Sequence, residues 1–260
     1  MTTQIHIVNI PGFLRIPLRV AYTLYALLIF LAMMVLVFPF VMLAALMGPL
    51  RGGNLILHGL RVWSAVWFRM VGIRHRNIYQ YRPDPGRQYI FVLNHISYLD
   101  AAIAVESIRQ PFRALGRHDL KRIPVFGWIY RVFVIMVDRG NKEDRARSLV
   151  DLRRALDHGI SILIFPEGTF NETDQPLKSF YNGAFRIAIE TQTPILPVVL
   201  LDAWDRMHHR HFFSLTPGPS RSVFMEPVPV EGLTLDDMET LKQRVYAMME
   251  KTLTTAQQKG

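Results

Sequence analysis

Two short stretches carry side chains whose types and spacing could do chemistry. The first, Asn94-His95-Ile96-Ser97-Tyr98-Leu99-Asp100, follows the apolar run Tyr89–Leu93 and sets a histidine and an aspartate five positions apart. On a continuous helix that spacing would hold the two side chains about 140° apart. They meet only if His95 lies in a strand-to-helix turn and Asp100 in the first helical turn, with Ser97 as a cap between them. Asp100 would then accept a hydrogen bond from Nδ1 and leave Nε2 to act as a base. The chain has no cysteine and no Gly-x-Ser-x-Gly elbow. A nucleophile would therefore arrive with the substrate, as a hydroxyl that the imidazole deprotonates. Taken alone, a His–Asp pair at this spacing is more often structural or accidental than catalytic.

The second stretch is Phe165-Pro166-Glu167-Gly168-Thr169, at the end of the apolar run Ser161–Phe165. A rigid proline followed closely by a permissive glycine suits a turn whose backbone N–H groups face a ligand. A plain tight loop at a strand end would use the same residues.

These stretches need elements to hold them. From about residue 88, short apolar runs alternate with helical patterns. Strands are expected over Tyr89–Leu93, Phe112–Leu115, Phe133–Val137, Ser161–Phe165, Ile195–Leu201 and Ser222–Val228. Helices are expected over Tyr98–Ile108, Asp119–Val132, Lys142–Asp157 and Asn182–Thr191, with a last one opening at Thr234, where Asp237 completes a cap. The alternation predicts an α/β fold, a largely parallel sheet flanked by helices. In such folds sites gather beyond the carboxyl ends of the strands, where both stretches lie.

The N-terminal third has a different character. Residues 1–83 hold eight arginines, no lysine and no acidic residue, so most of the chain's net charge of +9 resides there. Between Arg19 and Arg51 there is no charge at all, which is long enough for a spanning helix. Its length, and the lack of a small-residue cleavage site after it, argue against a removed signal peptide. Pro39 interrupts the run, so one kinked span and a hairpin both fit. Next, Ile56, Leu60, Trp63, Trp67 and Met70 share one helical face, opposite Arg61 and Arg69. That pattern suits a helix in the headgroup layer or one packed on the globular domain. The division expected is 1–72 for membrane-associated helices and 73–260 for an α/β domain. Arginines punctuating apolar helices point to anionic lipid rather than to nucleic acid.

Together the two chemical stretches resemble the glycerolipid acyltransferase family, the 1-acylglycerol-3-phosphate acyltransferases in particular. Asn94-His95 through Asp100 matches its N-H-x-x-x-x-D motif, and Phe165 through Thr169 its F-P-E-G-T motif. Lys121, Pro124, Gly127 and Arg139 match an intervening segment, and Pro197 a fourth apolar element. The resemblance covers about residues 73–230. It implies acyl transfer from acyl-CoA or acyl-carrier protein to the free hydroxyl of a membrane lysolipid. His95 would be the base and Asp100 its orienter, with Asn94, Lys121, Arg139, Glu167, Gly168 and Thr169 binding substrate. It implies no metal, no bound cofactor, and a site on the cytoplasmic side of the inner membrane.

Two positions depart from the family pattern. Phe170 stands where an arginine is common, and Asn182 where a lysine is common. Both lower the positive charge near the acceptor headgroup, leaving Lys178, Arg186 or Arg139 to compensate. A lyso-aminolipid or another lysophospholipid acceptor therefore competes with lysophosphatidate, and a non-catalytic lipid-binding protein is the rival of another class. The run His208-His209-Arg210-His211 reads as a solvated basic loop rather than a metal site, and the Asn171 sequon as incidental.

Overall fold

The computed structural model describes residues 12–117, 121, 126–137 and 142–258. Two N-terminal helices, α1 (Gly12–Ala45) and α2 (Gly48–Met70), precede an α/β domain. Its strands are β1 (Ile73–Tyr79), β2 (Ile90–Leu93), β3 (Phe112–Arg117), β4 (Val134–Val137), β5 (Ser161–Ile164), β6 (Ile195–Leu200) and β7 (Gly218–Phe224). Its helices are α3 (Asp100–Ser107), α4 (Phe126–Phe133), α5 (Lys142–Asp157), α6 (Gly183–Thr191), α7 (Ala203–Arg206) and α8 (Met238–Gln257). The strands form one sheet in the order β1-β7-β6-β2-β5-β3-β4, parallel throughout except for β6 against β7.

The central strands are apolar without interruption because both faces of the sheet are covered. Their side chains still alternate: Ile90 and Val92 of β2 join the core on one face, with α6 and α8, while Phe91 and Leu93 join the other, with α2 and α3. Ile162 and Leu163 of β5 divide in the same way. The strand β1 went unrecognised in the sequence because it is a sheet edge. Its pattern Ile73-Arg74-His75-Arg76 is half solvated and lacks an apolar run. The last strand ends at Phe224 rather than Val228, and α3 starts at Asp100 rather than Tyr98. The helix expected over Asp119–Val132 is found as α4 from Phe126, and β3 runs on to Arg117. Thr234 and Asp237 form the expected reciprocal cap, one 3-10 turn ahead of α8.

The N-terminal helices form an antiparallel pair, and α1 continues through Pro17 and Pro39. Tyr22 donates to the Val71 carbonyl and Trp67 Nε1 to that of Ala26 at 3.0 Å, while at the far end Gly52 lies against the Ala44 carbonyl. Within Leu14–Ala45, an 18-residue stretch of α1 reaches a mean hydropathy of 2.9 and is only 11% buried, the reverse of a core helix. The tryptophan face of α2 turns inward: Trp63 and Trp67 stack at 6.0 Å, and Phe30 meets both edge-on. Arg61 is bound to protein, donating to the carbonyls of Ile108 and Gln110 at the end of α3, where a cation also suits the helix dipole. Packing thus continues from α2 into the sheet, across the Gly72 turn at which the sequence suggests a boundary.

Candidate active site

Strands β2 and β5 are neighbours in the sheet, so the turns that leave their carboxyl ends lie side by side. This adjacency joins His95 to a motif some seventy residues later. The His95 N–H donates to Glu167 Oε1 at 2.7 Å, and the Asn171 N–H donates back to the His95 carbonyl at 2.8 Å. The second Glu167 oxygen accepts the Lys178 N–H at 2.8 Å. Glu167 is fully buried and clamps three segments through backbone amides. Burial raises its pKa to about 7, and the two N–H donors oppose that rise without cancelling it.

His95 itself is held by Asp100. Its Nδ1 lies 2.8 Å from Asp100 Oδ2, which also accepts the N–H groups of Ile96 at 2.6 Å and Ser97 at 2.8 Å. Asp100 is buried at the first position of α3, where the helix dipole favours negative charge. Against an acceptor-only carboxylate, Nδ1 carries the proton, and Nε2 is left with its lone pair. Among the described residues nothing bonds to Nε2, and the imidazole is 25% exposed. Ser97 is not the cap of α3: its hydroxyl donates to the Met207 carbonyl and accepts the Leu99 N–H at 3.0 Å, closing the turn between His95 and the helix.

An aromatic sleeve surrounds the imidazole. Phe165 stacks on it at 4.3 Å and Phe170 leans on it at 4.4 Å. Phe170 in turn stacks on His209 at 5.4 Å, and His209 Nδ1 is 3.1 Å from the Ile96 carbonyl. The 208–211 run is thus solvated only at Arg210 and His211, while His209 and His208, which pairs with Ser97, pack against the His95 turn. Nothing in the spacing of its histidines signals this, because β6 and the short α7 bring the loop over the site.

The expected site residues fall into groups. His95 and Asp100 come together as the spacing requires. Gly168 has φ +75° and forms the tip of its turn, and exposed Thr169 accepts a bond from Lys178 Nζ at 2.8 Å. Asn94 is buried, accepts the Leu200 N–H at 2.8 Å and donates to the Leu200 carbonyl at 3.2 Å. Both oxygens of Glu167, expected to contact substrate, are buried and accept backbone N–H groups. Lys121 lies on the β3–α4 connection, where its carbonyl abuts Gly127. Arg139, Pro124 and the segment around them lie outside the described residues. Of the two departures, Phe170 leans on His95 and Asn182 accepts a bond from Lys242 Nζ at 2.9 Å; the sequon residue Asn171 is a buried turn residue bonded to Thr173 and Gln175.

Comparison with known proteins places this geometry. A family model described as Acyltransferase matches residues 73–201, which include both motifs. A Haemophilus influenzae protein named 1-acyl-sn-glycerol-3-phosphate acyltransferase is 30% identical over 166 residues, covering 63% of this chain and 68% of that one. The chain belongs to the acyltransferase family. The human 1-acyl-sn-glycerol-3-phosphate acyltransferase alpha is also 30% identical, over 64% of this chain and 58% of its own length. Against several such curated relatives the acyltransferase-family chain spans only about half to two thirds of their length. The fold is shared with the crystal structure of the Thermotoga maritima 1-acyl-sn-glycerophosphate (LPA) acyltransferase, PlsC. The TM-score is 0.75 at 19% identity, covering 94% of this chain and 97% of that one.

Proposed function

We propose that this chain transfers an acyl group from acyl-CoA or acyl-carrier protein to the free hydroxyl of 1-acyl-sn-glycerol-3-phosphate, forming phosphatidic acid. The observation that carries the reading is the oriented imidazole. His95 Nδ1 is engaged by buried Asp100 at 2.8 Å, and Nε2 makes no hydrogen bond among the described residues in a chain without cysteine or a serine elbow. Nε2 removes the hydroxyl proton as the acceptor oxygen bonds to the thioester carbonyl carbon. The C–S bond breaks, the imidazolium returns the proton to the departing thiolate, and an ester and a free thiol result. Asp100 stabilises the imidazolium and fixes the tautomer. The Gly168–Thr169 turn with Lys178, and Lys121 and Arg139 by family resemblance, would bind the anionic part of the acceptor. The reaction would run at the cytoplasmic face of the inner membrane, with 1–72 as the membrane-associated part and 73–260 as the catalytic domain.

A second reading keeps the chemistry and changes the headgroup. Phe170 presses an apolar ring on His95 where a cation would favour a phosphate monoester, which supports a lyso-aminolipid or another lysophospholipid as acceptor. Purified full-length chain, given a labelled acyl donor and a panel of lysolipids, separates the two. Lysophosphatidate should react fastest; reaction with a zwitterionic lysolipid alone would move the assignment to the second reading. His95→Ala should lose about 10²–10⁴-fold in transfer rate without a change in melting temperature. Full activity in that variant would remove His95 as the base, and donor hydrolysis without an acceptor would point to a thioesterase.

A further inference from the structure

The aromatic sleeve at His95 does not end at the site. Phe170 meets Tyr98 edge-on at 5.1 Å, Tyr98 meets Phe212 at 5.9 Å, and Phe212 meets Phe213 at 5.5 Å. The last three are the exposed end of the row: Tyr98 is 46% exposed, Phe212 44% and Phe213 46%. Tyr98 belongs to the His95–Asp100 turn and Phe212 and Phe213 to the loop beside it, whose 3-10 turn Phe212–Ser214 packs against α1.

The charge around this row is cationic. Arg210 has a half-exposed side chain that pairs at 3.8 Å with Asp174, a fully exposed carboxylate whose hold on it is weakened by water. Arg19 of α1 is close enough to depress the pKa of His208, together with His211, His209 and Arg210 and after the larger effect of burial. The turn carrying Phe212 and Phe213 packs against α1, on which Ile16, Leu24 and Leu28 are exposed. Half-buried aromatic rings with arginine beside them, next to an apolar helix, match the chemistry of a bilayer's headgroup layer rather than of water.

We propose that Tyr98, Phe212 and Phe213, with Arg210, form a second membrane-contact lip that enters the headgroup layer of an anionic bilayer beside α1. The lip sets the depth at which His95 meets a membrane-borne hydroxyl. This rests on α1 lying in the bilayer and on a lysolipid acceptor, and the test separates the lip from both.

The chain contains no cysteine, so a single introduced one reports from one place. Phe213→Cys, Leu28→Cys and, as an exposed control, Glu231→Cys are each labelled with an environment-sensitive fluorophore. The full chain is then reconstituted in vesicles of phosphatidylcholine and phosphatidylglycerol containing a shallow doxyl-lipid quencher. The lip predicts strong quenching at 28 and 213 and little at 231. Quenching at 28 alone overturns the lip while leaving α1 in the membrane; quenching at neither overturns both. A label at 213 that is shielded without vesicles points to a protein partner and also overturns the lip. A functional arm uses Phe212→Ser/Phe213→Ser, whose positions are exposed and so tolerate the change. The KM for vesicle-embedded lysolipid should rise about tenfold, while kcat on a water-dispersed short-chain lysolipid stays the same. An equal loss on both forms, or none on either, contradicts the proposal.

Discussion

At the scale of single residues, Glu167 and Asp100 are both buried carboxylates that accept backbone N–H groups, yet they differ in consequence. Glu167 holds its proton up to about pH 7 against an ordinary value of 4.5. Below about pH 4.5 it is neutral folded or unfolded, so it adds no pH dependence there. As pH rises, the unfolded chain loses this proton first, so stability falls across the window from 4.5 to about 7 and is flat above it. The loss is on the order of 3 kcal/mol. Glu167→Gln cannot ionise and should escape it. Chemical unfolding of both proteins at pH 5 and pH 8 should show the variant gaining on the parent by that order. A difference that does not change with pH would contradict a protonated Glu167.

At the scale of elements, the site depends on how strands and helices are tied together. Asn94 bridges the end of β2 to that of β6 through both backbone groups of Leu200. Asn94→Ala would leave a buried N–H and C=O unpaired, a cost of about 1–3 kcal/mol each before relaxation. Thermal unfolding should show that loss, and kcat should fall because His95 is the next residue. Unchanged stability would mean that the bridge is dispensable. The helix pair has its own constraint at Gly52, where an added Cβ would sit 2.0 Å from the Ala44 carbonyl oxygen. Gly52→Val should therefore push α1 from α2 and lower the unfolding temperature, whereas Gly232→Ala, strained only by its own φ of +77° and meeting no neighbour, should cost much less. Buried Arg113 pins the same end of the pair to β3, donating to the carbonyls of Pro49 and Leu50. Burial pushes its pKa down to about 10, so it remains charged at neutral pH.

At the scale of the whole molecule, α1 couples membrane attachment to the integrity of the domain. It covers the Trp63–Trp67 face of α2 while showing its own apolar side to the surroundings. Removing residues 1–45 should therefore yield an aggregating protein, because the uncovered tryptophans form an exposed apolar patch. Size-exclusion chromatography of the truncated and full chains in matched detergent checks this. A monodisperse, fully active truncation would show that α1 is only a tether.

What could be read from the chain alone was whatever depends on local spacing. The apolar runs of β2, β5 and β6, the uncharged length of α1, and the five-residue offset that lets Asp100 reach His95 all belong to that class. The four ordered motifs likewise carried the family. Tertiary structure decided what depends on which strands are neighbours. The placement of β2 beside β5 made Glu167 a clamp on the His95 backbone. The placement of β6 beside β2 made Asn94 a bridge. The return of the chain after β6 laid His209 and the exposed Phe212–Phe213 pair along the site. These are pairings across some seventy to more than a hundred residues, and no local pattern encodes them. They arise because the central strands are buried on both faces, so the polar turn residues at their ends must be paired with whatever the strand order sets beside them.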